Sequence, residues 1–320
     1  MVSPHYAPAD LHAVRPASKA QAACSPSLAA CLAASCAEVT RADLPALDAF
    51  VLRGVLSAAE CTALRAEASA LGYSFWAGAE ASAEAAAFRC CDTVEVTAPE
   101  LAAALWARIA PRVQPRVTFA PGSGRGGAED AAVERGLAGV WEACGVNEVL
   151  LFTTYGPGGH FSPHTDGNTV SGLNQRSLYS LLVYLDDCQD GGQTTLFAPP
   201  PGSEASQRLF ARDASGRLRW PPEWVACAVP VVGGTALCFG QQTPHEGAPV
   251  GPGCRKVLIR TDVMYRRVPP VCEDAAGRAA YAAFLEAGAA EAGGEAMAAM
   301  QLYRRAARLS LPFAELMGLG

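Results

Sequence analysis

Three side chains in this sequence are of types that bind a divalent metal, and two of them are only two residues apart. His164 and Asp166 lie in the stretch SPHTDGN. Side chains at positions i and i+2 of a β-strand point to the same face, so this pair can close on one ion. The chain has five histidines, at 5, 12, 160, 164 and 245, and His245 follows the apolar run TALCF. From there it can fold back as the third ligand, so these residues predict a metal site.

The types of these ligands limit the chemistry of the site. Two imidazoles and one carboxylate on one side of a metal leave three positions open, which is the arrangement that non-haem Fe(II) oxygenases use. Zinc accepts the same ligands, so the three residues alone do not identify the metal. A later stretch, GCRKVLIRTD, carries cations about ten residues after His245. A cation on a rigid strand can bind a carboxylate through charge-assisted hydrogen bonds.

The segment 42–145 is predicted to be a support built of helices and a short strand. Ser57 as N-cap, with Glu60 three residues later, predicts a helix that ends near Gly72. A second helix is predicted after Thr97, and a third over about 129–143.

The segment 146–267 is predicted to form an all-β core. Its short β-branched and aromatic runs are separated by Gly, Pro and Asp, which favours a sandwich or jelly roll; they are VLLFTTY, RSLYSLLVYLDD, TTLFA, AVPVV, TALCF and KVLIRTDVMY. The insert 202–224, with DASGR at its centre, is interpreted as a hairpin. The last segment, 268–320, is predicted to be a helical extension with helices over about 272–289 and 294–308.

Composition excludes several other classes of protein. Half of the 320 residues are hydrophobic and the net charge is −6, which argues against a protein that binds nucleic acid. No apolar run approaches the roughly 20 residues of a membrane span. The twelve cysteines include no C-x-x-C pair, which favours reduced thiols and a cytoplasmic location. Residues 1–41, rich in Ala, Ser and Pro, are interpreted as a disordered leader, with an organellar transit segment as the alternative.

Taken together, these motifs resemble the prolyl 4-hydroxylase-like branch of the 2-oxoglutarate and Fe(II)-dependent dioxygenases. The resemblance covers residues 146–266, and FVLRGVLSAAECTAL is similar to the helical lead-in of that branch. It implies that His164, Asp166 and His245 are the iron ligands. It also implies an α+β fold, in which a double-stranded β-helix (jelly-roll) core follows N-terminal supporting helices and precedes the C-terminal helical extension.

The resemblance also implies which residues bind the cosubstrate 2-oxoglutarate. Tyr155 matches the family tyrosine that reaches the cosubstrate. Thr194, in YLDDCQDGGQTTLF, matches a position beside the same molecule, and Gln193 replaces the usual acid there.

The basic residue for the distal carboxylate of 2-oxoglutarate has three candidates. Counting ten residues from His245 gives Arg255, whereas alignment on RTDVMY favours Lys256. Adjacent residues of a strand point to opposite faces, so only one of the two can face the iron. Arg260 shares a face with Lys256 and is the third candidate, with a substrate contact as its other role.

The function implied by the resemblance is that of an oxidoreductase. Such an enzyme uses Fe(II), 2-oxoglutarate and dioxygen, with ascorbate as a reductant, and hydroxylates a C–H bond with release of succinate and CO2. Its substrate is a peptide or a small molecule, and peptidyl proline is the best-known target of the branch. Two alternatives remain: a cupin-like hydrolase or isomerase that holds zinc or manganese at the same residues, and a non-catalytic jelly-roll binding module.

Overall fold

The computed structural model describes residues 27–32, 38–45, 47–78, 82–120, 136–198, 200, 211–213 and 216–319. Its α-helices are α1 (Ser27–Ala30), α2 (Ala58–Leu71), α3 (Ala83–Phe88), α4 (Pro99–Ile109), α5 (Ala275–Ala292), α6 (Ala296–Leu309) and α7 (Leu311–Met317). Its first strands are β1 (Thr40–Asp43), β2 (Ala49–Arg53), β3 (Ser74–Phe75), β4 (Arg89–Cys90), β5 (Asp92–Thr97), β6 (Arg116–Phe119), β7 (Gly139–Val146), β8 (Val149–Tyr155) and β9 (His160–His164). The remaining strands are β10 (Val170–Gly172), β11 (Gln175–Tyr184), β12 (Thr194–Phe197), β13 (Ala211–Arg212), β14 (Leu218–Arg219), β15 (Val225–Val229), β16 (Ala236–Gly240), β17 (His245–Gly247) and β18 (Lys256–Val268).

The chain divides into two compact units. The first comprises Met1–Val113, Gly145–Thr169 and Ser177–Met264. The second comprises Gln114–Cys144, Val170–Arg176 and Tyr265–Gly320. The sequence boundaries at 41, 145 and 267 stay predictions.

The first unit contains two β-sheets that share a core. Its larger sheet has the order β1-β2-β16-β11-β18-β8-β5-β3, and its smaller sheet has the order β15-β12-β17-β9-β4. Leu182, Tyr184 and Phe239 of the larger sheet pack in one buried cluster with Leu196 and Val229 of the smaller sheet. Apolar faces of two sheets are removed from water when they pack together, which stabilises this layered arrangement. The predicted α+β jelly-roll class is confirmed.

Helix α2 begins as its sequence predicts. The Glu60 amide donates to the Ser57 hydroxyl (3.3 Å), and the Glu60 carboxylate accepts from the Ser57 amide (2.7 Å), which completes a capping box. The same carboxylate forms a buried ion pair with Arg108 of α4 (2.7 Å). The helices of this support are therefore linked through one acidic residue, and α4 follows Thr97 as predicted.

In the second unit, the helical extension is confirmed and one helix prediction is wrong. Helices α5 and α6 cover most of the two predicted segments, and Phe313 of α7 packs in their core with Ala283 and Ala306. Residues 139–143, predicted as the end of a helix, lie in β7, where Trp141 pairs with Val117 of β6. Pairing with a strand distant in sequence overrides the local helix propensity there. Residues 129–135 of that prediction lie outside the described residues.

The insert also forms its predicted hairpin in the part that is described. Ala211 pairs with Arg219 and Arg212 with Leu218 in an antiparallel ladder. Residues 201–210 and 214–215 of the insert lie outside the described residues. In the described part of the chain, none of the helices combines the length and hydrophobicity that crossing a bilayer requires.

Candidate metal centre and cosubstrate pocket

Three ligand side chains converge at one end of the smaller sheet. His164 ends β9, Asp166 follows it, and His245 begins β17 directly opposite His164 in the antiparallel ladder. The Nε2 atoms of His164 and His245 each lie 3.7 Å from a different carboxylate oxygen of Asp166. One ligand atom from each of the three residues lies within 4.8 Å of the others. The structure therefore brings together the three side chains that the sequence singled out.

Both histidines are oriented and held neutral by their surroundings. The Nδ1 atom of His164 lies 2.8 Å from the Ser162 carbonyl, and that of His245 lies 3.0 Å from the Thr243 carbonyl. A carbonyl oxygen only accepts, so each Nδ1 donates its hydrogen and each Nε2 carries a lone pair. Burial lowers the pKa of His164 to about 3, and burial also lowers the pKa of His245. Neutral imidazole is the form that binds a metal.

Asp166 is held in its ionised form. Burial on its own would raise the pKa of this carboxyl, but the guanidinium of Arg260, together with the hydrogen bond from Ser180, holds the pKa below its usual range. The Ser180 hydroxyl donates to its Oδ2 atom at 2.5 Å, and Nη2 of Arg260 lies 3.7 Å from its Oδ1 atom. The side chain therefore offers a charged oxygen ligand at ordinary pH.

The chemistry of this donor set fits a ferrous ion. Two neutral nitrogens and one charged oxygen approach a common point from one side, which leaves the opposite side for other ligands. Over the described ranges of the chain, no other group of three histidine, cysteine, aspartate or glutamate side chains meets the same distance condition.

A buried carboxylate beneath the ligands connects the segments that carry them. Asp262 is fully buried, accepts from Gln241 (3.0 Å) and Thr169 (2.8 Å), and pairs with Arg260 (3.2 Å). The Asp166 amide donates to the Gln241 carbonyl (3.2 Å). The loop after β9 is therefore tied to β18 through buried polar contacts, which are rigid when fully paired. No sequence signal pointed to this network.

Lys256 is buried beside the two residues expected to bind the cosubstrate. Its side chain is 2 % exposed, and it pairs directly across the ladder with Tyr155. Its Nζ atom donates to the Gly192 carbonyl (2.7 Å) and lies 3.4 Å from the hydroxyl of Thr194, which accepts from Tyr184 (2.8 Å). Within the described ranges no carboxylate pairs with Lys256, and burial lowers its pKa to about 8. An ammonium in such a place fits an incoming carboxylate.

The turn before β12, which presents a carbonyl to Lys256, requires glycine. Gly191 has φ +67°, and a Cβ atom there would lie 2.1 Å from the Pro249 carbonyl oxygen. Gly192 follows with φ +70° and presents its carbonyl to Lys256. Glycine adopts this region of φ without the strain that other residues incur.

The other two basic candidates have carboxylate partners. Arg255 points to the opposite face, where its side chain is 57 % exposed and pairs with Asp186 at 3.2 Å. Arg260 lies on the inner face and contacts both Asp166 and Asp262. Strand alternation therefore separates Arg255 from the pocket that contains Lys256.

His160, the remaining described histidine, contacts backbone and not the ligand cluster. Its Nδ1 atom lies 3.0 Å from the Gly158 carbonyl, and its Nε2 atom lies 3.0 Å from the Ala87 carbonyl. Both ring nitrogens face backbone carbonyl oxygens, which agrees with a structural role.

Arg89 is a charged neighbour of the ligands that the sequence analysis missed. Its guanidinium carbon lies 4.5 Å from the centre of the Phe161 ring, and that ring stacks on His164 with centroids 3.6 Å apart. Its Nε atom donates to the Cys91 sulfur at 3.0 Å. The surrounding sequence, AFRCCDT, has no feature that distinguishes this arginine from a surface residue.

Comparison with known proteins gives one family match. Residues 150–261 match the family model of the 2OG-Fe(II) oxygenase superfamily, and this range contains the three ligands and Lys256. No curated protein matches the chain.

Solved structures of similar proteins include several prolyl hydroxylases. A prolyl-4-hydroxylase of Pseudomonas putida is 18 % identical, with a TM-score of 0.38 over 70 % of this chain and 95 % of that one. A collagen prolyl hydroxylase of Paramecium bursaria Chlorella virus-1 is 16 % identical, with a TM-score of 0.38 over 70 % and 99 % of the two chains. A prolyl hydroxylase of Trichoplax adhaerens, in complex with a peptide, is 13 % identical, with a TM-score of 0.39 over 70 % and 85 %.

Proposed function

We propose that this chain is a 2-oxoglutarate and Fe(II)-dependent dioxygenase that hydroxylates a C–H bond of a peptide or a small molecule, because residues 150–261 match the family model of the 2OG-Fe(II) oxygenase superfamily. The observation that carries this proposal is the convergence of His164, Asp166 and His245 in the domain that also holds the buried Lys256. The family match favours this oxidoreductase over a cupin-like hydrolase or isomerase and over a binding module.

The three converging side chains would hold the iron. With 2-oxoglutarate and dioxygen bound, iron supplies the oxidising power that converts C–H to C–OH as succinate and CO2 are released. The protein keeps His164 and His245 neutral through burial and keeps Asp166 charged through Arg260. These residues therefore favour metal binding at neutral pH.

Lys256 is our choice for the residue that binds the distal carboxylate of 2-oxoglutarate. It is buried and lacks a carboxylate partner among the described residues, whereas Arg255 and Arg260 each pair with aspartate. Thr194 would donate to the same carboxylate through its hydroxyl, and Tyr155 would pack against the cosubstrate. A charge-assisted contact in this buried pocket is stronger than the same contact in water.

The substrate would approach on the side of His164 where Arg89 and Phe161 lie. The Phe161 ring covers one face of the His164 imidazole, which keeps water from that face. The guanidinium of Arg89 can donate to a carbonyl of a bound peptide. Peptidyl proline is the target that we propose, because the motifs resemble those of the prolyl 4-hydroxylase-like branch.

The decisive test is succinate formation that depends on a substrate. We expect proline-rich peptides, screened beside a metabolite panel, to yield a product heavier by one oxygen together with an equal amount of succinate. Asp166→Ala should abolish both, because it removes the one charged ligand. Arg255→Gln, on the outer face of β18, is the matched control and should retain turnover. Unchanged turnover in Asp166→Ala would contradict the proposed metal centre.

A second measurement separates this function from metal-dependent hydrolysis. Anaerobic addition of 2-oxoglutarate to the iron-loaded protein should change its visible absorption spectrum, because the cosubstrate enters the coordination sphere. Lys256→Met should need a much higher concentration for the same change. A spectrum that does not respond at saturating 2-oxoglutarate would favour the hydrolase or isomerase.

A further inference from the structure

A buried thiol, that of Cys91, lies at the hydroxyl end of Tyr155. Both residues are buried, with 5 % and 6 % of their surface exposed. The sulfur of Cys91 accepts from Nε of Arg89 at 3.0 Å, and the Tyr155 hydroxyl interacts with both the sulfur and the guanidinium. These three polar groups form one closed network, since a guanidinium can donate to the hydroxyl while the hydroxyl donates to the sulfur.

The backbone around Cys91 fixes the place of its sulfur. Cys91 lies between β4, which pairs with β9 of the smaller sheet, and β5, which pairs with β8 of the larger sheet. The Trp76 amide donates to the Cys91 carbonyl (3.2 Å), and the indole Nε1 of Trp76 donates to the Arg89 carbonyl (2.5 Å). Both sheets therefore hold the thiol, and paired polar groups of this kind are rigid when buried.

The network extends to two sides of the metal centre. Nζ of Lys256 lies 5.5 Å from the centre of the Tyr155 ring, so this ring borders the place proposed for 2-oxoglutarate. On the other side, the guanidinium of Arg89 lies 4.5 Å from the centre of the Phe161 ring, which stacks on a histidine ligand. Burial raises the pKa of the Cys91 thiol and of the Tyr155 hydroxyl, so both groups keep their hydrogens at neutral pH.

We propose that Cys91 is a positioning residue for 2-oxoglutarate, because its sulfur holds the Tyr155 hydroxyl and the Arg89 guanidinium in one arrangement. This inference rests on the proposed function and extends it to a residue that acts through its neighbours. Removing the sulfur takes away the acceptor that orients the hydroxyl and one charge-assisted hydrogen bond of the guanidinium. The Tyr155 ring is then less well preorganised, and 2-oxoglutarate should bind more weakly.

Anaerobic calorimetry of the iron-loaded full chain measures the Kd for 2-oxoglutarate without turnover. We expect Cys91→Ala to raise this Kd about tenfold, the usual effect of losing one hydrogen bond to a charged group. Cys91→Ser supplies an oxygen that accepts the same two hydrogens, so its Kd should stay within about threefold of the native value. Cys91→Val, which fills the space without an acceptor, should behave as Cys91→Ala does and serves if that variant does not fold.

The matched control removes another buried thiol. Cys238 of β16 is fully buried. Phe239, the next residue, contacts the His245 ring with centroids 4.6 Å apart, so the Cys238 side chain points to the opposite face of the strand. Cys238→Ala should therefore change the Kd for 2-oxoglutarate less than about twofold, since the two sites share no partner.

A Tyr155→Phe background shows whether the sulfur acts through the hydroxyl. There Cys91→Ala should change the Kd less than about twofold, because the hydroxyl is already absent. Near-ultraviolet circular dichroism of the metal-free protein gives a readout that needs neither iron nor cosubstrate. Cys91→Ala should alter a tyrosine band that Tyr155→Phe removes, whereas Cys238→Ala should leave this band unchanged.

Three results would overturn this role of Cys91. They are an equal rise of Kd in both backgrounds, a Kd and a tyrosine band that Cys91→Ala leaves unchanged, and a Cys91→Ser variant that binds as weakly as Cys91→Ala. Failure of the proposed function gives a different pattern, because the native chain itself would then not bind 2-oxoglutarate. In that case the tyrosine band alone decides whether Cys91 fixes Tyr155.

Discussion

Lys256, which is buried, and Arg260, whose side chain is 28 % exposed, are two cations on the same face of β18, and their surroundings differ. Arg260 pairs with Asp262 at 3.2 Å and lies 3.7 Å from Asp166. Among the described residues, Lys256 has the Gly192 carbonyl and the Thr194 hydroxyl as hydrogen-bond partners and lies over the rings of Tyr155 and Tyr184, but it has no carboxylate partner. Burial costs each side chain its hydration, but only Arg260 recovers that loss within the protein.

The comparison separates two uses of a buried charge. A cation that is paired with a metal-ligand carboxylate orients that ligand, so its role is positioning. A cation without a described carboxylate partner is suited to an anion from solution, so we propose that Lys256 serves in binding.

The strongest test of this comparison is the loss of the Lys256 charge. Lys256→Met should raise the apparent KM for 2-oxoglutarate by about 100-fold, because losing one partner of a buried charge pair costs roughly 2–5 kcal/mol. Steady-state succinate formation measures it. Arg255→Gln removes the neighbouring charge from the outer face and should change KM less than twofold. Equal effects of the two substitutions on KM would show that 2-oxoglutarate binding does not depend on which face of β18 carries the cation.

A smaller effect is expected at Arg260. Arg260→Gln should weaken Fe(II) binding by about 10- to 100-fold, the usual consequence of removing a partner of a metal ligand. Competition with a coloured chelator under anaerobic conditions measures this affinity. The apparent KM for 2-oxoglutarate should change less than in Lys256→Met. If Fe(II) affinity stays the same and KM rises as much as in Lys256→Met, then Arg260 binds 2-oxoglutarate and does not orient Asp166.

The smallest expected effect is the pH dependence of the affinity for 2-oxoglutarate. Lys256 must be protonated to bind a carboxylate, and burial lowers its pKa to about 8 in the protein without cosubstrate. Affinity for 2-oxoglutarate should therefore be constant below about pH 8 and fall about tenfold per pH unit above it. Anaerobic calorimetry of the iron-loaded protein from pH 7 to 9.5 measures this. Lys256→Arg keeps its charge over that range and should give a flat profile. A flat profile in the native chain would contradict the assigned contact.

Local sequence was sufficient for many elements of the fold. The capping box at Ser57, the β-branched runs of β8, β11 and β18, and the Ala-rich helices α5 and α6 all contain their own signals. Strand β7 contains no such signal, because its strand character depends on pairing with β6, which is distant in sequence. Helix α7 was not predicted, and it is only seven residues long.

The amino-acid sequence by itself determined the ligand types, their order and the family resemblance, because the H-x-D spacing and the scarcity of histidine leave few alternatives. Only the tertiary structure decided that His245 lies across the ladder from His164, that Lys256 faces inward, and that Arg89 and Asp262 approach the site. The reason is physical: strand register and burial set which side chains meet and which charges remain unpaired, and these depend on contacts between residues far apart in the chain.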